Sequence, residues 1–225
     1  MTWKIGNLLK NYQKSSNKKK IAIIGAGFFG ISAAFFLKKK FEVTIFEKSP
    51  DILTGASRAN QLRFHLGYHY PRSKKTLNEV QSMNKSFINF YGKNVFGTTK
   101  NYYGVAKKNS KTSFSKYKNF LYKNKLFFKL MKNTDFSDEV NGTILSKEKN
   151  LNFFKIKKRI KKILIQKKIK VKLNRSFLRR DLDKYYKIII ACYDKNNEVL
   201  KNLGVKPRNK YKFELVEKIV IKLPK

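Results

Sequence analysis

The chain has 225 residues, 41% hydrophobic and 14% aromatic, enough apolar material for a folded core and too much for a disordered chain. Its formal charge of +39 points towards polyanions, yet 45 of the 53 basic residues are Lys and only 8 are Arg, spread over nearly the whole length. Nucleic-acid readers lean on Arg for bidentate contacts, so this pattern describes solvated lysines, and no specific nucleic-acid partner is expected.

Cys192 is the single cysteine. It excludes an intrachain disulfide and fits a reducing, cytoplasmic compartment. His65 and His69 are the only histidines and no zinc spacing exists, so no metal centre is expected.

Residues 1–19 form a basic leader with Trp3, Ile5, Leu8, Leu9 and Tyr12 at roughly helical spacing. Two readings stay open: a helix lying on a membrane surface, or an extension resting on the domain. Next comes an uncharged run, Ile21–Leu37, between the triplets Lys18–Lys20 and Lys38–Lys40. Its length is near the lower limit of about 17 residues for a membrane span. Its internal order argues for something else. Ile21-Ala22-Ile23-Ile24 is a β-branched block suited to a buried parallel strand. Gly25-Ala26-Gly27-Phe28-Phe29-Gly30 then fits G-x-G-x-x-G, and Ile31–Leu37 continues as a helix. Phe41–Phe46 reads as a second strand ending at Glu47, 22 residues after Gly25.

Each part of this βαβ unit has a reason. Gly25 permits the tight strand-to-helix turn, Gly27 leaves room for a pyrophosphate at the backbone, and Gly30 lets helix and sheet approach closely. The helix amino terminus presents free N–H groups to the phosphates. Glu47 is placed to accept hydrogen bonds from a ribose diol. A dinucleotide site is therefore expected and a transmembrane span is not.

Residues 49–75 carry many functional side chains and no clear period, as a working loop does. A helix is predicted over 76–91, a strand from Asn101, a helix from Thr112 capped by Thr112 or Ser113, and a strand over 127–131. An extended segment from Gly142 leads to a helix through Phe153–Gln166 with a lysine-rich wet face. Strands are predicted from Ile169 and Tyr185, a short helix from Asn196 to Gly204, and a long alternating strand from Tyr211. The order is βαβ, an inserted α+β region, then a return to the parallel sheet. Residues 20–75 and 150–205 are expected to form a discontinuous nucleotide-binding domain of α/β, Rossmann-like class. Residues 76–149 and 206–225 are expected to form an incomplete inserted domain of substrate type.

Three stretches resemble FAD-dependent oxidoreductases of the D-amino-acid-oxidase type: "IAIIGAGFFGISAAFFL…EVTIFEKS", "GASRANQLRFHLGYHYPRS" and "YKIIIACY". The resemblance covers about residues 20–205 and makes FAD the expected cofactor, with NAD the rival that Glu47 alone does not exclude. It implies that Gly25, Ala26, Gly27, Phe28, Phe29 and Gly30 cradle the FAD pyrophosphate. It places Glu47 on the adenosine ribose with Lys48 beside it, and Ser57, Arg58 and Asn60 along the pyrophosphate and ribityl chain. Arg63, His65 and Gly67 would come near the isoalloxazine. The implied activity is hydride transfer to flavin from a small amine, amino-acid or sugar-type substrate.

Two departures stand out. The turn Ala191-Cys192-Tyr193 is bulkier than the family's small-residue pattern, and the carboxy-terminal segment that closes over the flavin has no counterpart. A truncated enzyme, or a non-catalytic dinucleotide-binding remnant, is therefore a standing alternative, and a basic protein binding nucleic acid or a membrane surface is a third. His65 is the candidate proton-handling residue, since imidazole titrates near neutrality, or else a structural hydrogen-bonding group. Arg63 and Arg72 are candidates for a substrate carboxylate, a flavin phosphate or a backbone carbonyl. Tyr68 and Tyr70 line a pocket or pack in a core, and Cys192 is a flavin-proximal thiol or a buried structural one. Substrate, electron acceptor and oligomeric state are not legible.

Overall fold

The computed structural model describes residues 18–132 and 138–212. The uncharged run is not one rod. Strand β1 (Lys20–Ile24) ends where the chain turns at Gly25, and helix α1 (Phe28–Leu37) begins after an extended Gly27. A strand, a turn and a ten-residue helix cannot span a bilayer, and among the described residues no helix is long and apolar enough to do so. In α1, Gly30, Ile31, Ala34 and Phe35 are buried, the i, i+1, i+4, i+5 spacing of one helical stripe. Strand β2 (Glu42–Phe46) then pairs parallel with β1, in register from Lys20↔Glu42 to Ile24↔Phe46.

The middle of the chain is α+β. Helix α2 (Ala56–Ala59) and strand β3 (Arg63–Phe64) are the regular elements of the expected loop 49–75. Helix α3 (Lys74–Tyr91) starts at Ser73, whose Oγ accepts from Thr76 N–H at 3.2 Å. Strand β4 (Asn101–Ala106) precedes helix α4 (Phe114–Lys123), where Ser113, one of the two predicted caps, accepts from Lys116 N–H. Strands β5 (Phe128–Met131), β6 (Val140–Ser146) and β7 (Lys149–Asn150) lead to helix α5 (Phe153–Gln166). In α5 the apolar stripe Ile156, Ile160, Ile163 and Leu164 is buried, while Lys155, Lys158, Lys161 and Lys162 are exposed. Strands β8 (Lys170–Lys172) and β9 (Lys187–Ile190) and helix α6 (Asn196–Asn202) follow.

The chain divides into two compact units, Met1–Ser57 with Gln166–Lys225, and Arg58–Ile165. The first is built on an all-parallel sheet in the order β8-β2-β1-β9. The chain moves outward from β1 through β2 to β8, then crosses to β9 on the other side of β1. That reversal creates a crevice at the carboxyl end of β1, where open α/β sheets bind ligands. One apolar cluster is formed by Ala22, Ile24, Phe46, Phe177 and Leu203, with Phe46 and Phe177 edge to face at 5.0 Å.

The second unit holds the antiparallel sheet β4-β6-β5 and the two-stranded pair β3-β7. Its core includes Tyr68, Leu77, Val105, Tyr117, Leu121, Leu126 and Ile144. The unit boundaries differ from those expected at 75/76 and 149/150. Residues 58–75 and 150–165 go with the second unit because Arg63 and Phe64 pair with Asn150 and Lys149, and Leu151 N–H donates to Leu62 O at 2.7 Å. Most of the expected leader (1–17) and of the strand expected from Tyr211 (213–225) lies outside the described residues.

Candidate functional site

The first unit places the G-x-G-x-x-G segment at the carboxyl end of β1, between β2 and β9. Gly25 N–H donates to Phe46 O at 2.8 Å, and Ala191 N–H donates to Ile24 O at 2.8 Å, so the turn is tied to both neighbours. The three glycines differ in what a side chain would meet. Gly25 has φ +104, and a Cβ there would meet Ala191 O at 2.5 Å. A Cβ on Gly30 would meet Gly25 O at 2.0 Å and Ile23 Cγ2 at 3.3 Å, which is the close helix–strand approach predicted from the motif. A Cβ on Gly27 would meet Ser57 Oγ at 3.1 Å. Ala26 is fully buried, whereas Phe29, at the first turn of α1, is 85% exposed.

Two side chains converge on this turn. The Glu47 carboxylate follows β2 and bridges the crevice: Ala26 N–H donates to Oε2 at 2.8 Å and Ser49 N–H donates to Oε1 at 2.9 Å. Ser57 Oγ accepts from Phe28 N–H at 3.0 Å and so satisfies one of the four donors that a helix start leaves unpaired. An anion set at the remaining donors would also meet the positive end of the α1 dipole. Lys48 beside Glu47 is exposed. The structure therefore brings together Gly25 through Gly30, Glu47 and Ser57, residues that the sequence scatters over 33 positions.

Cys192 sits at the same end of the sheet. Its thiol donates to Ile24 O at 3.3 Å, and its N–H donates to Asn196 Oδ1 at 2.7 Å. Burial pushes the thiol pKa up to about 11, and the negative charge of Glu47 adds to the shift. A thiol held protonated is a poor nucleophile. Iodoacetamide at pH 8 should thus alkylate the native chain roughly 10- to 100-fold more slowly than the unfolded chain, with mass spectrometry reading the rate; equal rates would remove the buried-thiol assignment. Tyr193, next in this turn, takes φ +56 and leaves its ring 73% exposed.

The remaining candidates belong to the second unit. Arg58 is exposed, with its guanidinium 6.0 Å from the Phe153 ring centre. Asn60 is exposed and its Oδ1 accepts from Leu62 N–H at 2.7 Å, which shapes the loop locally. Arg72 is exposed. Gly67 takes φ +119, and a Cβ there would meet Leu77 Cδ1 at 2.1 Å, so in this unit it serves core packing. Tyr68 is a core residue, 1% exposed. Its hydroxyl donates to Phe127 O, and its carbonyl accepts from Tyr117 OH. Burial raises the pKa of both phenols.

Arg63 and His65 meet around a residue that sequence reasoning missed. Glu148 is 3% exposed, one of only 14 acidic residues in the chain. Leu66 N–H donates to its Oε1 at 2.7 Å, and Tyr103 OH donates to Oε2. His65 Nδ1 lies 3.7 Å from Oε1. Burial by itself would push the Glu148 carboxyl up; the nearby His65 ring and the hydrogen bonds from Tyr103 OH and Leu66 N–H outweigh it and hold the carboxyl below its usual range. The Tyr103 phenol is pushed up by burial and by its bond to Glu148. The Arg63 guanidinium stands 5.1 Å from the Tyr103 ring centre. His69 is 5.8 Å from His65, ring centre to ring centre, and burial lowers its pKa, with the charges of His65 and Arg63 adding to the effect. The signal for Glu148 was present as a phase: Ile144, Ser146 and Glu148 share the period-two buried face that starts in β6.

Comparison with known proteins gives a consistent family. The model of the FAD dependent oxidoreductase family matches residues 20–136. A FAD-dependent monooxygenase of Aspergillus flavus, kojA, is 38% identical over 73 residues, which are 32% of this chain and 17% of that protein. Glycine oxidase from Bacillus cereus superposes with a TM-score of 0.57 at 15% identity, covering 82% of this chain and 58% of that one. L-α-glycerophosphate oxidase from Mycoplasma pneumoniae with FAD bound superposes with a TM-score of 0.51 at 18% identity, covering 69% of this chain and 44% of that one. The matched regions thus span about half of these structures and a smaller part of the curated relative.

Proposed function

The chain belongs to the FAD dependent oxidoreductase family, and from that premise we propose that it binds FAD at the carboxyl edge of its parallel sheet and oxidises a small amine, amino-acid or hydroxyl-bearing substrate. The family is FAD-dependent, and the residues present fit the cofactor. Side chains at Gly25 and Gly30 would collide with backbone, and bare main chain with unpaired N–H groups is what a diphosphate requires. Glu47 offers a carboxylate whose oxygens each retain acceptor capacity beyond the Ala26 and Ser49 N–H groups, as a ribose diol requires.

The observation that supports this reading is the bridge from Glu47 to the glycine turn, which holds a carboxylate beside bare main chain. When bound, the flavin supplies the hydride acceptor. The chain's own residues then have separable tasks. Gly25–Gly30 hold the diphosphate, Glu47 orients the adenosine end, and Ser57 keeps the first turn of α1 in place. In this reading His65 accepts the proton that leaves the substrate's nitrogen or oxygen.

The test is spectroscopic. The purified chain is loaded with FAD and mixed anaerobically with panels of amines, amino acids and hydroxy compounds. Loss of the oxidised flavin absorbance with one class supports the oxidoreductase reading and names the substrate class. Tight FAD binding with no bleaching by any class would leave a dinucleotide-binding remnant, and absence of FAD binding would defeat both.

A further inference from the structure

The buried acid of the second unit has no role in the family reading as set out above, and its surroundings assign it one. Glu148 is fixed at every polar atom. Its N–H donates to Ser146 Oγ at 3.3 Å, and its carbonyl accepts from Asn101 Nδ2 at 3.0 Å. Both carboxylate oxygens are held by Leu66 N–H and Tyr103 OH, and the side chain has no solvent exposure. A group this constrained is a fixed reference point, and the imidazole beside it must adapt to it.

His65 is held less completely. Its carbonyl accepts from Asn84 Nδ2 at 3.0 Å, and its ring is flanked by His69 and by Tyr70, the latter nearly edge to face at 5.6 Å. Nδ1 is buried and has no hydrogen-bond partner among the described residues, while 32% of the side chain remains exposed. Exposure therefore falls on the rest of the ring. Glu148 Oε1 lies 3.7 Å from Nδ1. Closing that gap to an N–H···O⁻ bond of about 2.8 Å takes roughly 1 Å of ring movement, and such bonds are often long before substrate arrives.

We infer that Glu148 is a positioning residue for His65: its anchored carboxylate faces Nδ1, fixes the proton on that atom, and leaves Nε2 as the proton-accepting atom. The chemical ground is the carboxylate's lack of any donor. When ionised it only accepts, so the ring atom that faces it is stable only as N–H. A neutral imidazole carries one proton, and Nε2 is then the lone-pair atom. Tyr103 OH and Leu66 N–H each donate to one oxygen of the carboxylate, so two donors to its ionised form remain when His65 is neutral. The functional consequence rests on the reading of His65 as the proton acceptor; the geometry does not.

The experiment is a long-range proton–nitrogen spectrum of the full chain with ¹⁵N-labelled histidine, recorded without flavin at a pH where the rings are neutral. With two histidines in the sequence, a His69→Gln variant assigns both. His65 is expected to carry its proton on Nδ1. Glu148→Ala should move the proton to Nε2, and Glu148→Gln, which keeps an oxygen facing the ring, should retain the Nδ1 form. A proton on Nε2 of wild-type His65 would overturn the proposal, as would a folded Glu148→Ala chain with an unchanged tautomer. Should Glu148→Ala fail to fold, the wild-type spectrum alone decides. A purely structural Glu148 would lower stability without moving the tautomer. Because no flavin is present, a chain that binds no FAD would remove the redox reading and leave this result standing.

Discussion

A Gly30→Ala chain is expected to lose about 3 kcal/mol of stability. Two terms oppose each other. Alanine is the better helix former by about 1 kcal/mol in an exposed helix interior, and Gly30 lies inside α1. Sterics work the other way: the new Cβ would sit 2.0 Å from Gly25 O and 3.2 Å from Gly25 C. Both are backbone atoms, so no side chain can rotate to make room. The helix must lift off β1, opening the contact that buries Ile31 and Ala34. The steric term therefore wins. Urea unfolding followed by circular dichroism reads the shift, with Gly55→Ala as the control because nothing lies within 4 Å of a Cβ there. A midpoint for Gly30→Ala equal to that of Gly55→Ala would refute the close helix–strand approach.

Glu47→Ala should weaken FAD binding roughly 10- to 100-fold. Its carboxylate takes part in charge-assisted bonds to Ala26 N–H and Ser49 N–H, each of the kind worth about 1.5–3 kcal/mol. Removing it frees both N–H groups to water, loosens the turn proposed to hold the diphosphate, and deletes the proposed acceptor for the ribose. Part of the loss is recovered by solvation, which keeps the expected figure well below the sum of the bonds. Glu47→Gln keeps one oxygen but cannot accept both N–H groups with it, and should fall between wild type and Ala. Calorimetric titration measures the affinities. Unchanged binding in Glu47→Ala would mean that the bridge is structural and the adenosine end lies elsewhere.

The βαβ unit with its glycine turn was legible because its signals lie in one short stretch. The strand, three glycines, helix and terminal acid all lie within Ile21–Glu47, at a spacing that the motif fixes in advance. The amphipathic period of α5 set both its ends, since its apolar stripe and its lysines alternate without interruption. Continuous apolar character likewise marked a parallel strand from Tyr185; its regular part is Lys187–Ile190, which pairs with β1 and is half-buried where full burial was expected. The unit boundaries were not legible. They depend on a two-residue pairing between β3 and β7 that joins Arg63 to Asn150 across 87 positions, and nothing in composition announces it. Glu148 was hidden for a related reason. Between Lys147 and Lys149 it reads as a solvated charge, and only the phase of the preceding strand shows that it turns inward. Ser57 was named through resemblance, but its role as acceptor for Phe28 N–H becomes visible only once the loop folds back 29 residues.

We propose that a diphosphate rests on the main chain between β1 and α1, with Glu47 beside it. Titrating FAD into the uniformly ¹⁵N-labelled chain and following backbone amides tests this most directly. The expected result is that the amides of Ala26 through Gly30 and of Ser49 shift together and saturate with one dissociation constant. Saturable FAD binding that leaves those amides unmoved, or no binding up to about 1 mM FAD, would contradict the account.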